Sequence, residues 1–223
     1  MTKLIGKDIV AQVLAQPNAP MLVKEITILL EAEKKRRQQF YKEITDAEKV
    51  EFINGEVVVH SPVMNEHNAV TKRLSRLMST YVDKNDLGET GIEKVMITLQ
   101  RNDYEPDICF FDKQKAKYFK EGQSLFPAPD FVVEILSKGT KKNDRTIKFQ
   151  DYEANGVTEY LIIDPKKKVV ELYRLDRTKK YELVLKSDTG ILKSKVITGF
   201  FIAIEAIFDD AKNLTELEKM LIE

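Results

Sequence analysis

The chain has 223 residues, of which 43% are hydrophobic and 32% charged, so it can bury one substantial core and we expect a single domain. Its single cysteine excludes an internal disulfide framework, and one cysteine with two histidines cannot form a zinc site of the Cys/His kind. Thirty-six basic residues balance thirty-six acidic ones, so the strongly basic footprint of an avid nucleic-acid binder is missing. Any metal here must sit on carboxylates.

The hydropathy pattern predicts a cytoplasmic protein. No stretch approaches the roughly 20 consecutive apolar residues that a membrane span needs. The start MTKLIGKDIV also lacks the apolar core of a signal peptide. We therefore expect no contact with a membrane.

The first predicted element is an amphipathic helix from about Met21 to Tyr41, appended to the core. Its apolar positions recur at helical spacing, at Leu22, Ile26, Leu29 and Leu30. The basic run KKRR at 34–37 follows them. Such a run is more often a solvated face than a phosphate contact, and both interpretations stay open.

A hairpin and a long helix come next. The segment VEFINGEVVVHSP predicts two short strands that turn at Asn54-Gly55, because this dipeptide favours the tight turn of a hairpin. From about Asn65 to Asn85 apolar residues recur three and four apart, which predicts a helix that ends before Gly88.

Beyond this helix the pattern is that of strands with one crossover helix. We predict strands in KVMITLQ, PDICFF, PDFVVEILS, TEYLIID, KVVELYRL, YELVLK and KVITGFFIAIE. The crossover helix spans about Lys142 to Ala154, with Thr140 or Asn143 as N-cap, and a final helix covers Asn213 to Glu223. The order predicts an α/β fold in which helices flank a mixed central β-sheet.

Two acids lie in apolar strands and indicate chemistry. Glu134 interrupts FVVEIL, and Asp107 precedes ICFF directly after a proline. A buried, unpaired carboxylate costs several kcal/mol, so each needs a cation or a partner. If the strands are neighbours and both acids share a face, they form a site for Mg²⁺ or Mn²⁺. A structural salt bridge for Glu134 and a strand start or turn for Asp107 are the alternatives.

Residues on the two long helices complete this candidate site. Asp144, Lys148 and Tyr152 are spaced four apart on the crossover helix and so share a face. Lys148 is placed to orient an attacking water, or it forms an ordinary helical pair with Asp144. Glu66 lies on the apolar side of its helix, where it completes the metal shell or compensates the helix terminus. Its neighbour His67 either hydrogen-bonds the substrate or packs at the start of the helix, and for a lone histidine we favour packing.

These motifs resemble the Uma-two family of restriction endonucleases, a branch of the PD-(D/E)xK nuclease superfamily. The resemblance is carried by EFINGEVVVHSP, NEHNAV, EPDICFF and APDFVVEILSKGTKKNDRTIKFQDYEANGVTEYLIIDP, and covers about Tyr41 to Asp164 and toward Arg174. It implies a restriction-endonuclease-like core in which Asp107 and Glu134 bind the metal. The basic residue is then Lys148, because Leu136 stands where the superfamily's strand lysine would be.

The resemblance also implies roles for Glu66, Asp144 and Tyr152, which match family positions. It leaves open which of two lysines is catalytic. Lys138 stands where relatives often have proline, and it is the alternative to Lys148 as the catalytic lysine. A second Pro-Asp pair ends at Asp130, but Asp130 and Glu134 are four apart on one strand, roughly 13 Å along it. One ion cannot bind both, so we prefer Asp107.

From these residues we expect a Mg²⁺- or Mn²⁺-dependent endonuclease that hydrolyses phosphodiester bonds, with DNA as the substrate. Phosphate contacts are expected from the basic residues beside the site, namely Lys138, Lys141, Lys142 and Arg145. The rival is a non-catalytic binding or assembly protein that keeps the nuclease scaffold. A small-molecule hydrolase is disfavoured because no nucleophile or sugar-binding signature is visible.

We expect one nuclease-like domain over 1–223, with a helical N-terminal extension at 1–40, the core at 41–210 and a C-terminal helix at 211–223. The extension and the apolar segment FFIAIE also predict a homodimer.

Overall fold

The computed structural model describes residues 2–45 and 47–222 of the chain. The helices are α1 (Thr2–Leu14), α2 (Ala19–Glu43), α3 (Asn65–Lys84), α4 (Lys113–Ala116), α5 (Lys141–Arg145), α6 (Ile147–Ala154) and α7 (Asp210–Ile222), with a 3₁₀ turn at Ile204–Ile207. The strands are β1 (Val50–Ile53), β2 (Glu56–Val59), β3 (Gly88–Ile92), β4 (Met96–Thr98), β5 (Asp103–Tyr104), β6 (Ile108–Asp112), β7 (Leu125–Phe126), β8 (Phe131–Ile135), β9 (Glu159–Asp164), β10 (Val169–Leu175), β11 (Tyr181–Ser187), β12 (Ile191–Lys193) and β13 (Phe201–Ala203).

A six-stranded sheet in the order β11-β10-β9-β8-β6-β3 forms the centre of the fold. Strands β8 and β9 are parallel and the other pairs are antiparallel. The helices α5 and α6 make the crossover that a parallel pair requires. All five residues of β8 are buried, as expected for a central strand covered on both faces. The predicted mixed sheet flanked by helices is confirmed.

A second sheet of short strands, in the order β2-β1-β5-β4-β7, packs beside the first. Its hairpin turns at Asn54-Gly55, where φ is 52° and 87°, so the predicted turn is confirmed. Glycine suits this turn because it adopts positive φ without strain. A Cβ at Gly55 would also lie 2.7 Å from the Arg36 guanidinium. The chain then passes from β5 into β6 and so joins the two sheets.

Alternation along the central strands divides the core into two layers. Ile108 and Phe110 of β6 pack in the layer that also contains Leu74 of α3. Cys109 and Phe111 face the opposite layer, which contains Tyr152 of α6 and residues of the second sheet. The odd positions of β6 therefore face α6.

The crossover helix and the last predicted strand differ from the predictions. The crossover is broken at Thr146, whose φ of −127° and ψ of −84° are not helical, so it forms α5 and α6. Thr140 is the N-cap residue by position, but its side chain makes no capping hydrogen bond. The segment KVITGFFIAIE is a strand only at Phe201–Ala203, because Gly199 lies at φ 81° in a turn just before it.

At the termini, the predicted helical N-terminal extension is present and contains α1 before α2, although apolar periodicity located only α2. Helix α7 begins three residues before the predicted start at Asn213. Glu223, the predicted last residue of this helix, lies outside the described residues. Among the described helices, none combines the length and the apolar character needed to cross a membrane.

The basic run at the end of α2 holds this helix against the second sheet. Arg37 forms two hydrogen bonds with the carboxylate of Asp103, at 2.6 and 2.7 Å, and Tyr41 adds a third at 2.8 Å. Arg36 donates to the carbonyl of Gly55 at 3.1 Å. Asp103 is fully buried, so its charge requires these partners. Two of the four basic residues are thus structural.

The first half of α2 exposes its apolar side chains. Of the four apolar residues whose spacing predicted a buried face, Ile26, Leu29 and Leu30 are 46–62% exposed and Leu22 is half-buried. Helix α2 contacts the second sheet only through its C-terminal half, where Glu33 and Phe40 are buried. No described part of the chain covers the apolar stretch.

Candidate active site

The site lies in a cavity of about 550 Å³ between the second sheet, α3 and the crossover helices. Both acids singled out from the sequence line this cavity. Strands β6 and β8 are antiparallel neighbours with Ile108 opposite Val133, so the same register places Asp107 opposite Glu134. Alternation directs both side chains toward the α6 layer. Asp107 and Glu134 are therefore adjacent, on one face of the central sheet.

Glu134 belongs to a buried cluster around Lys148. Its Oε1 accepts hydrogen bonds from the Lys148 ammonium and the Tyr152 hydroxyl, both at 3.0 Å. Lys148 Nζ also lies 2.7 Å from Glu51 Oε1 and 3.6 Å from Asp144 Oδ1. The Lys148 side chain is only 2% exposed. One ammonium thus holds three carboxylates together.

Asp107 has a separate set of partners. Its Oδ1 accepts a hydrogen bond from Lys49 Nζ at 2.9 Å, and its Oδ2 accepts one from the backbone N–H of Ile135 at 2.7 Å. His67 Nε2 lies 3.1 Å from the same Oδ2. The Ile135 bond fixes the carboxylate against β8, one residue beyond Glu134.

Burial and charge move the pKa values of the two acids in opposite directions. Burial raises the pKa of Glu134 well above its usual range, and the Lys148 charge offsets this only in part. Burial also raises the pKa of Asp107, but the His67 hydrogen bond and the Lys49 charge outweigh it and hold this pKa below its usual range. Asp107 is thereby kept as an anion.

Glu51 and Lys148 stabilise each other's charged form. Burial raises the pKa of Glu51, but the Lys148 charge and His60 outweigh it and lower this pKa to about 2. Burial disfavours the Lys148 charge, yet its carboxylate neighbours raise the pKa of this ammonium well above its usual range. His60 Nε2 lies 3.0 Å from Glu51 Oε2, but the two atoms are not aligned for a hydrogen bond.

Buried carboxylates outnumber ammonium groups in this site, and the imidazoles of His60 and His67 also contact them. Two ammonium groups, those of Lys49 and Lys148, face four buried carboxylates, which are those of Glu51, Asp107, Glu134 and Asp144. Both carboxylate oxygens of Asp144 and Oε2 of Glu51 are buried without a hydrogen-bond partner among the described residues. Buried polar atoms of this kind normally require a partner. The donor set has capacity left for a cation.

The secondary residues of the sequence analysis divide into two groups. Asp144 and Tyr152 join the Lys148 cluster, because the i to i+4 spacing survives the break at Thr146. His67 lines the cavity, whereas Glu66 is half-buried and does not line it. The face of α3 that meets the site continues from His67 to Thr71, and Glu66 lies beside it.

The basic residues next to the site also differ in position. Lys138 lines the cavity, and Lys141 and Lys142 are exposed at the start of α5. Arg145 instead forms two hydrogen bonds with Glu171 of β10, at 2.7 and 3.1 Å. Its guanidinium is therefore engaged away from the cavity.

Four site residues were missed by the sequence analysis. Lys49, Glu51 and His60 flank or belong to the hairpin strands and line the cavity, and Glu93 follows β3 and pairs with Lys49. A signal for Glu51 was available: it is an acid between Val50 and Phe52, which is the same pattern that marked Glu134.

Comparison with known proteins agrees with this architecture. A family model named Uma2 and described as "Putative restriction endonuclease" matches residues 37–205. Two proteins of Synechocystis sp. are similar: "Uncharacterized protein sll1609" is 27% identical over 65% of this chain and 79% of its own length, and "Uncharacterized protein slr1290" is 26% identical over 72% and 84%.

A solved structure shares the fold. The crystal structure of "a putative nuclease belonging to DUF820" from Anabaena variabilis superimposes with a TM-score of 0.66 at 19% identity, over 77% of this chain and 96% of that one. The family match spans most of the chain and includes every strand of the central sheet. The chain therefore belongs to the Uma2 family, whose model is described as "Putative restriction endonuclease", and has a restriction-endonuclease-like fold.

Proposed function

We propose that the protein is a divalent-metal-dependent endonuclease that hydrolyses phosphodiester bonds in DNA. The observation that carries this proposal is the pair Asp107 and Glu134, which lie on one face of neighbouring strands and line a cavity beside Lys148. A buried acid pair with an adjacent ammonium suits the hydrolysis of a phosphate ester.

The donor set fits Mg²⁺ or Mn²⁺. Both ions prefer oxygen ligands, and the site offers more carboxylates than its two ammonium groups neutralise. Asp107 and Glu134 would hold the ion. When bound, a divalent cation lowers the pKa of a water and stabilises negative charge on the reacting phosphate.

The protein's own residues fix the geometry around this position. Tyr152 and Lys148 both donate to Oε1 of Glu134, so they orient its carboxylate. The Ile135 N–H holds Asp107 in the same way. Lys148 lies next to the proposed metal ligands and orients the attacking water. We favour Lys148 over Lys138 as the catalytic lysine. Lys138 is exposed, and the ammonium that binds Glu134 is that of Lys148.

DNA would enter over the loop before α5. Lys138 lines the cavity and Lys141 and Lys142 are exposed beside it, so these three residues are placed to contact phosphates. We leave Arg145 out of this set because Glu171 binds its guanidinium. A local patch of this kind is consistent with binding by a chain that has no net charge.

Nicking of supercoiled plasmid tests the proposal. We expect cleavage by the wild-type protein with Mg²⁺ or Mn²⁺, and none after removal of metal with EDTA. Asp107→Asn removes a charged ligand and is expected to lower the rate about 100-fold or more. Asp130→Asn is the matched control. Asp130 belongs to the second Pro-Asp pair, and its carboxylate pairs with Lys115 instead of lining the cavity.

The control distinguishes the loss of a metal ligand from a general effect of an Asp→Asn substitution on the fold. Asp130→Asn is expected to keep cleavage within about threefold of wild type. Equal loss in both variants would remove the support for Asp107. A wild-type protein that cuts no DNA with either metal would overturn the proposal and support the alternative, a non-catalytic binding protein that retains the scaffold.

We also propose that the protein is a homodimer that covers the apolar stretch of α2. Exposed apolar patches of this kind mark interaction surfaces. Light scattering is expected to give twice the chain mass of 25.7 kDa, and Ile26→Glu with Leu29→Glu is expected to give one chain mass. Lys35→Glu, a charge change on the same helix, should leave the dimer intact. A wild-type mass of one chain would contradict this assembly.

A further inference from the structure

A second group of potential metal ligands adjoins Asp107. His67, Glu93 and Asp107 each offer one ligand atom, and these atoms lie within 4.8 Å of one another. His67 Nε2 and Asp107 Oδ2 are 3.1 Å apart. Two ligand atoms at adjacent corners of an octahedron around an ion are about 3.0 Å apart when each bond is about 2.1 Å. The separation of these two atoms is that of a hydrogen bond, and it also matches the spacing of two ligands of one ion.

The backbone fixes this group independently of its side chains. Glu93 follows β3, and its N–H donates to the carbonyl oxygen of Asp107 at 3.0 Å. Glu93 also adopts a φ of 50°, which is uncommon for a residue other than glycine and clusters at functional sites. His67 is placed by the first turn of α3. Three separate elements thus converge on one point.

Lys49 binds the two carboxylates of this group, and it contacts the oxygen of Asp107 that His67 does not contact. Its ammonium lies 2.9 Å from Asp107 Oδ1 and 3.3 Å from Glu93 Oε2. The two carboxylates therefore already hold a cation, and that cation belongs to the chain. Unlike Lys148, whose side chain is 2% exposed, Lys49 is 16% exposed and lines the cavity. Its side chain is therefore less enclosed than that of Lys148.

We propose that Asp107, His67 and Glu93 form a divalent-cation site whose position is held by the Lys49 ammonium until a metal ion displaces it. The inference rests on the proposed function, because it extends the metal-binding set of that site beyond Asp107 and Glu134.

Charge and ligand chemistry define which ion fits. A divalent ion places two charges where Lys49 places one, between two carboxylates. Lys49 then turns into the cavity of about 550 Å³, where a phosphate is its natural partner. An imidazole ligand suits transition metals better than Mg²⁺. The site therefore takes Mn²⁺ in preference to Mg²⁺.

Titration of the full-length protein with Mn²⁺ alone tests the proposal, with free Mn²⁺ measured by electron paramagnetic resonance. Lys49→Met removes the competing charge and keeps the length of the side chain. It is expected to tighten Mn²⁺ binding about tenfold or more. Adding Glu93→Gln or His67→Gln to Lys49→Met is expected to abolish this gain. Lys138→Met, which removes another lysine of the same cavity, should change the affinity less than about threefold.

A spectroscopic measurement covers the case in which Lys49→Met fails to fold. Mn²⁺ bound to the wild-type protein is expected to show a ¹⁴N hyperfine coupling that His67→Gln removes, because the imidazole nitrogen is a ligand. The proposal is overturned if Lys49→Met binds Mn²⁺ no more tightly than wild type, if the gain survives Glu93→Gln, or if no nitrogen coupling is seen.

These outcomes are separate from those of the cleavage assay. A protein that binds Mn²⁺ through His67 but cuts no DNA would refute the nuclease and retain this site. A protein that cuts DNA while Lys49→Met shows no gain in affinity would refute this site and retain the nuclease.

Discussion

Lys148→Met is expected to lower the free energy of unfolding by about 3–5 kcal/mol. The ammonium of Lys148 is the cation shared by Glu51, Glu134 and Asp144, at 2.7, 3.0 and 3.6 Å. Methionine fills the same space without the charge, so three carboxylates are left facing each other in the core. Urea unfolding followed by circular dichroism measures the change.

The matched control is Lys142→Met, which changes an exposed lysine of the adjacent helix α5. It is expected to alter the free energy of unfolding by no more than about 0.5 kcal/mol. If the two variants are equally stable, Lys148 is not what balances the buried acids, and the structural role assigned to it is wrong.

Glu134→Gln is expected to lower plasmid cleavage about 1,000-fold or more while the protein stays folded. The amide keeps the shape of the side chain but removes the charge that would bind the metal. Lys148 still has Glu51 and Asp144 as partners, so the cluster is not left with an unpaired ammonium. Nicking rates of the purified variants at equal concentration give the effect.

Glu171→Gln provides the comparison, because Glu171 is a buried strand acid of the same sheet that pairs with Arg145 outside the cavity. Its cleavage rate is expected to stay within about threefold of wild type. A Glu134→Gln protein as active as Glu171→Gln would place the chemistry elsewhere. The contrast with Lys148→Met is diagnostic: one substitution removes activity and keeps stability, while the other lowers stability.

Local patterns were sufficient for the central part of the fold. The Asn54-Gly55 turn and the apolar run around Glu134 each depend on a few neighbouring residues, and both predicted elements are present. The break at Thr146 and the observed bounds of the last strand were not predicted. The sequence around Thr146 has the spacing of one continuous helix, and its helical pattern does not reveal where a backbone must bend to pack.

The candidate site was predictable where an acid lies in or directly before an apolar strand, as at Glu134 and Asp107, and where helical spacing places Lys148 on one face with Asp144. Glu51 shows the same local pattern as Glu134 but was not selected. Glu51 lies in a hairpin, where an alternating acid normally faces water. It is buried because the second sheet packs against the α6 layer. This tertiary contact is not visible in the local sequence. Lys49 and Glu93 lie at strand ends and carry no periodic signal. Their proximity to Asp107 follows from how β1, β3 and β6 converge.

The connection from β5 into β6 links the two sheets, and the cavity lies where they meet. Glu51 comes from one sheet and Glu134 from the other, and helix α6 supplies the lysine between them. These residues lie far apart in the chain, so the set exists only after both sheets have formed. An ion held there binds the native state and not the unfolded chain, and by mass action it stabilises the whole molecule against unfolding.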